Sequence, residues 1–242
     1  MLLGFLLLVI GGEYLVRASV GLSFKLKLSK MVIGLTVVSF ATSFPELLVS
    51  LNAALQGAPA IAINNVIGSN IANIGLVLGI TSICTTIEVD PSFYKFNWPA
   101  LLIFSLLLYA FMQNDQQLTS FEGAVLFIAL LVFIVLLIKR SRRTNLETDP
   151  EMDTLSEVSY FKIIIWLTVG GMALYYGADW LVDGAIVVAE QMGVSEAVIS
   201  VSLVALGTSI PELSASIVAV MKKEKSLSLG NLIGSNIFLS LI

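Results

Sequence analysis

The sequence predicts an all-α polytopic membrane protein, an inverted-topology repeat of two five-helix halves, here truncated to about eight transmembrane helices. Three observations carry that expectation. Apolar stretches long enough to cross a bilayer recur along the whole chain, basic residues are confined to alternate loops, and two motifs return at one fixed offset. With 57% hydrophobic and 12% charged residues, the 242-residue chain is too apolar to clothe a water-soluble surface.

The apolar stretches run approximately Met1 to Leu22, Met31 to Leu55, Ala60 to Ile87, Trp98 to Met112, Phe121 to Ile138, Phe161 to Glu190, Ala197 to Met221 and Leu227 to Ile242. A helix of about 17 to 25 residues suffices to cross roughly 30 Å of hydrocarbon. The first stretch lacks a basic leading region and carries Glu13 and Arg17, so it is taken as a span rather than a cleaved leader.

Lys25, Lys27 and Lys30 follow the first span, Lys95 the third, Lys139, Arg140, Arg142 and Arg143 the fifth, and Lys222, Lys223 and Lys225 the seventh, while Lys162 opens the sixth. Every loop after an odd-numbered span therefore carries positive charge, and the others carry none. By the positive-inside rule the basic side is cytoplasmic and the N-terminus lies outside, in the plasma (inner) membrane. Residues 139–160, basic and then acidic, form the expected cytoplasmic linker between a first half at 1–138 with five helices and a second half at 161–242 with three.

Thr42-Ser43-Phe44-Pro45-Glu46-Leu47 returns as Thr208-Ser209-Ile210-Pro211-Glu212-Leu213, an offset of 208 − 42 = 166. The same offset carries Gly68-Ser69-Asn70-Ile71 onto Gly234-Ser235-Asn236-Ile237, and Glu13-Tyr14-Leu15-Val16 onto Asp179-Trp180-Leu181-Val182. Duplication is the natural cause. The copies are separated by an odd number of helices, so the second enters the membrane from the opposite face, and a full second copy would bring the plan to ten helices.

Each Thr-Ser-x-Pro-Glu lies well inside an apolar span, where an ionised carboxylate costs on the order of 2.5 to 3.5 kcal/mol or more. No basic residue is placed to neutralise Glu46 or Glu212, since Arg17 lies in another span beside Glu13. A bound metal cation or a proton is left to supply the charge. Pro45 and Pro211 add oxygens, because a helical proline offers no N–H and frees the carbonyls of Ala41 and Gly207. Carboxylates, carbonyls and hydroxyls together suit hard cations such as Ca²⁺, with Na⁺ competing for the same atoms. Ser69 and Asn73 share one face of the third span, where Gly68, Gly75 and Gly79 are expected to allow close helix approach. The absence of histidine and the single Cys84 argue against histidine-based catalysis and zinc chemistry, and no aspartate pair or metal motif of an intramembrane protease is visible.

The paired motifs resemble the two alpha-repeats of the sodium/calcium exchanger family within the calcium/cation antiporters, over essentially the whole chain. The resemblance implies a secondary active antiporter, not an enzyme, that exchanges Ca²⁺ for Na⁺ by alternating access, with a Ca²⁺/H⁺ antiporter as the alternative. It implies Glu46 and Glu212 as central metal ligands, carbonyls of Thr42 and Thr208 on Ca²⁺, and Ser43, Ser69, Asn73, Ala205, Ser209 and Ser235 forming flanking Na⁺ sites. The expected partners are the metal-ion substrates and the lipid bilayer, with no cofactor and no nucleic acid. The family pattern has Asn or Asp four residues after Ser235, where this chain has Leu239.

Overall fold

The structure, a computed structural model, describes residues 1–87, 89, 91, 93–113, 118–141, 155–195 and 207–241. Six helices among them are long and apolar enough to cross a membrane: α1 (Leu2–Leu26), α2 (Lys30–Leu55), α3 (Pro59–Cys84), α4 (Phe93–Met112), α5 (Ser120–Ser141) and α6 (Tyr160–Gln191). Two shorter helices follow, α7 (Ile210–Met221) and α8 (Lys225–Leu241). Of the seventh expected span only the part from residue 207 is described. The eighth departs from a lipid-facing span for a chemical reason: α8 carries Ser228, Asn231, Ser235, Asn236 and Ser240, and almost all of it is buried in protein.

Local chemistry sets the helix ends. Ser29 and Ser159 cap α2 and α6 by accepting from the backbone N–H of Val32 and Lys162. Lys27 closes α1 in a left-handed conformation, φ 55°. Gly34–Val38 in α2 and Asn73–Leu78 in α3 widen into π-helical turns, both adjoining the predicted site segments.

The helices α1 and α6 pack along each other through glycine. A Cβ on Gly11 would come within 2.9 Å of the Gly170 carbonyl, and one on Gly4 within 2.7 Å of the Gly177 carbonyl. The contacts run in opposite order along the two helices, so the pair is antiparallel. Gly4 and Gly170, and likewise Gly11 and Gly177, are 166 residues apart, so the repeat offset converts one contact into the other. Close approach recurs where α8 meets α2: Gly34 faces the Leu227 carbonyl and Gly230 faces that of Met31. Among the described residues no such approach is made at the glycines expected to serve this purpose in α3. No described atom lies within 4 Å of a Cβ on Gly68, Gly75 or Gly79.

Contacts at one end of the bundle gather the loops that follow odd-numbered helices. Lys25 lies over the Tyr160 ring and Arg140 over that of Phe96. The Ser29 N–H donates to Ser141 Oγ at 2.9 Å, and Lys30 Nζ pairs with Glu224 Oε1 at 2.7 Å. Lys25, Lys30 and Arg140, which the sequence pattern assigns to one side, are thus tied to neighbouring loops and helix ends of that side. Elsewhere the outer surface is apolar, as on α5, where Phe127, Ile128, Leu131, Val132, Val135 and Leu136 are exposed.

Gly11→Ala is expected to force α1 and α6 apart at a cost of about 1–3 kcal/mol, seen as a lower thermal unfolding midpoint in detergent. Gly171→Ala, which meets open space, is expected to leave the midpoint unchanged or raise it slightly through better helix propensity.

Candidate metal-ion site

Four helices supply the predicted residues, and each of the four touches the other three: α2 and α7 carry the two proline-glutamate segments, α3 and α8 the two Gly-Ser-Asn segments. The helix α2 continues through Pro45, whereas α7 starts at Ile210 with Pro211 in its first turn and Ser209 at its cap position. The two repeats therefore present the same side chains on differently built backbones.

Glu46 and Glu212 are both fully buried, as are Thr42, Ser43 and Ser235, while Ser69, Asn73 and Ser209 are buried to within 2%. Thr208 is half-buried, and Ala205 lies outside the described residues. Ser43 Oγ donates to Glu212 Oε1 at 2.8 Å. Ser43 sits one turn before Glu46 on α2, so this bond brings the second carboxylate against the turn that carries the first. The equivalent bond from Ser209 to Glu46 is not made: Ser209 Oγ and both carboxylate oxygens of Glu46 have no hydrogen-bond partner among the described residues. Glu212 Oε2, Ser69 Oγ, Ser235 Oγ and Asn73 Oδ1 are in the same state. Buried polar atoms are ordinarily paired. Here six of the ten predicted residues hold unpaired, buried oxygens, and that donor set is chemically suited to a hard cation. Among the described residues no cluster of three or more Asp, Glu, His or Cys side chains could hold a metal, so a cation here relies on two carboxylates and neutral oxygens.

Two asparagines belong to this arrangement that the motif reading missed. Asn65 Nδ2 donates to the Glu46 carbonyl at 3.2 Å and to Ser50 Oγ at 2.9 Å. Asn231 Nδ2 donates to the Glu212 carbonyl at 3.4 Å and to Ser216 Oγ at 3.1 Å. Extending Gly-Ser-Asn-Ile three residues toward the N-terminus would have found them, since Asn65 and Asn231 obey the same offset, 231 − 65 = 166.

A family model described as sodium/calcium exchanger protein matches residues 1–139 and 162–242. The chain belongs to the sodium/calcium exchanger family. Among its relatives, the uncharacterized membrane protein MJ0091 of Methanocaldococcus jannaschii is 37% identical over 236 residues, covering 98% of this chain and 76% of the relative. The sodium/calcium exchanger MaX1 of Methanosarcina acetivorans is 31% identical over 273 residues, covering 98% and 78%. A solved structure of the sodium-calcium exchanger NCX_Mj soaked with zero Na⁺ and Ca²⁺ superposes with a TM-score of 0.82 at 34% identity, covering 98% of this chain and 76% of that one. Membership makes this exchanger-family protein an integral, multi-pass membrane protein and a cation antiporter rather than an enzyme.

The departure at Leu239 has a structural counterpart in this family member. Leu239 is buried in the apolar core. Asn73, which the repeat pairs with position 239, instead donates Nδ2 to Asn236 Oδ1 at 3.0 Å, and Asn236 Nδ2 donates to the Asn70 carbonyl at 3.2 Å.

Glu46→Gln is expected to raise the unfolding midpoint of the protein in ion-free detergent, because it replaces a buried, unpartnered carboxyl, which needs a cation or a proton to offset its charge, with a neutral amide. A gain of about 1–3 kcal/mol corresponds to several degrees, and differential scanning fluorimetry measures it.

Proposed function

We propose that the chain exchanges Ca²⁺ for Na⁺ across the plasma (inner) membrane, around Glu46 and Glu212 near the bilayer midplane. The observation that carries the reading is the pair of repeat-related carboxylates, buried among serine and asparagine oxygens that have no other partner. Two carboxylates balance one Ca²⁺ or the charge of Na⁺ ions, and both cargoes need the same Glu oxygens, so one must leave before the other binds. In this reading Thr42 and Thr208 offer carbonyls to Ca²⁺, and Ser43, Ser69, Asn73, Ala205, Ser209 and Ser235 complete flanking Na⁺ sites.

The domain plan we propose is an inverted repeat: a first half at 1–138, a cytoplasmic linker at 139–160 and a second half at 161–242, with the N-terminus outside. The antiparallel, offset-related glycine contacts of α1 and α6 support it, as does the gathering of basic loops at one end of the bundle. Alternating access follows if α1 and α6 slide together past the four site helices. An open apolar groove among α2, α5, α6 and α8, lined by Phe40, Phe44, Met172 and Tyr175, lies beside α6 in this reading.

Reconstituted in vesicles, the protein is expected to take up ⁴⁵Ca²⁺ against an outward Na⁺ gradient, with uptake surviving a proton ionophore. Uptake that follows only a proton gradient would move the assignment to Ca²⁺/H⁺ exchange. Glu46→Gln and Glu212→Gln are each expected to abolish uptake while leaving a folded, monodisperse protein, and activity in either would overturn the site.

A further inference from the structure

We propose that Asn65 and Asn231 are positioning residues that set the ion affinity of the two carboxylates without touching the ion. The inference rests on the cation-site reading above. In each half the asparagine comes from the neighbouring helix and makes the same two bonds: one to the backbone carbonyl of the glutamate, one to the hydroxyl of the serine a turn later. The serines obey the offset too, 216 − 50 = 166. Three residues and two hydrogen bonds therefore recur as a unit in each half, although the helices around them differ.

The unit acts where the helix is weakest. Glu46 follows Pro45 inside α2, whose missing N–H leaves the preceding turn short of one bond, and Glu212 follows Pro211 in the first turn of α7, where helix N–H groups lack intrahelical partners in any case. An amide from α3 or α8 that grips the glutamate's own carbonyl resists rotation of that peptide, and with it the direction of the carboxylate. Both protons of Asn231 Nδ2 are committed to this grip. Its remaining polar atom, Oδ1, accepts from Thr42 Oγ1 at 3.1 Å. Asn231 thus spends its amide protons on the grip and its Oδ1 on Thr42, and it links Glu212 of one half to Thr42 of the other, one turn before Glu46.

Positioning and mere bracing are separated by ion-dependent unfolding of the purified chain, titrated with CaCl₂ and, separately, with NaCl. Asn65→Ala and Asn231→Ala are expected to raise the half-saturating Ca²⁺ concentration about tenfold each, the effect of one lost buried hydrogen bond. Ser50→Ala, which spares the bond to the Glu46 carbonyl, is expected to shift it less. Because Asn231→Ala unpairs groups in two halves and carries the risk of misfolding, Asn65→Ala, on the half-buried side, decides. A lower ion-free midpoint with half-saturation within twofold of the unaltered protein would mean bracing only and would overturn the inference while leaving the cation site standing. No Ca²⁺ or Na⁺ response in the unaltered protein would remove the site and the inference together. A response that disappears in Glu46→Gln confirms that the titration reads the intended site.

Discussion

Two carboxylates sit fully buried inside a bundle whose outer surface is apolar, and neither faces a basic side chain. The ion pairs among the described residues lie elsewhere, joining Glu13 to Arg17 and Lys222, and Glu224 to Lys30. Burying an uncompensated charge is among the most unfavourable arrangements a fold can hold. The rest of the centre is organised around that constraint. Proline precedes each glutamate, asparagine from the next helix grips the glutamate's own carbonyl, and the hydroxyls of Ser69, Ser209 and Ser235 have no partner among the described residues. A bundle selected for stability alone would have closed those hydrogen bonds.

The repeats are alike in chemistry and unlike in surroundings. Glu212 receives a hydroxyl from Ser43, whereas Glu46 receives none from Ser209. The helix α8 is wrapped by α2, α3, α4, α5 and α7, while its repeat mate α3 leaves the positions of its own glycines open to the outside of the described structure. Identical side chains thus meet different partners in the two halves.

Much of the architecture was legible beforehand. Apolar length marked six of the spans within a few residues, because hydrocarbon imposes one secondary structure and one minimum length. Identical motifs at a single offset marked the glutamates and their hydroxyl neighbours. Gly68 and Gly75 look no different in sequence from Gly4 and Gly11, and only the packing reveals which have a described helix against them. Asn65 and Asn231 were overlooked although the offset contains them, because an isolated asparagine in an apolar run signals no particular partner until the neighbouring carbonyl is seen.

Composition and motif spacing specified a membrane bundle, its repeat unit and the pair of acidic residues at its centre, because bilayer solvation and duplication both leave marks readable along one dimension. Packing decided the rest: that α8 is interior rather than lipid-facing, that Leu239 joins the core while Asn236 meets Asn73, and that one carboxylate is held by a serine and the other is not. Those outcomes depend on which helix face turns toward which neighbour. In chains this uniformly apolar, hydrophobic periodicity no longer distinguishes a face against protein from a face against lipid.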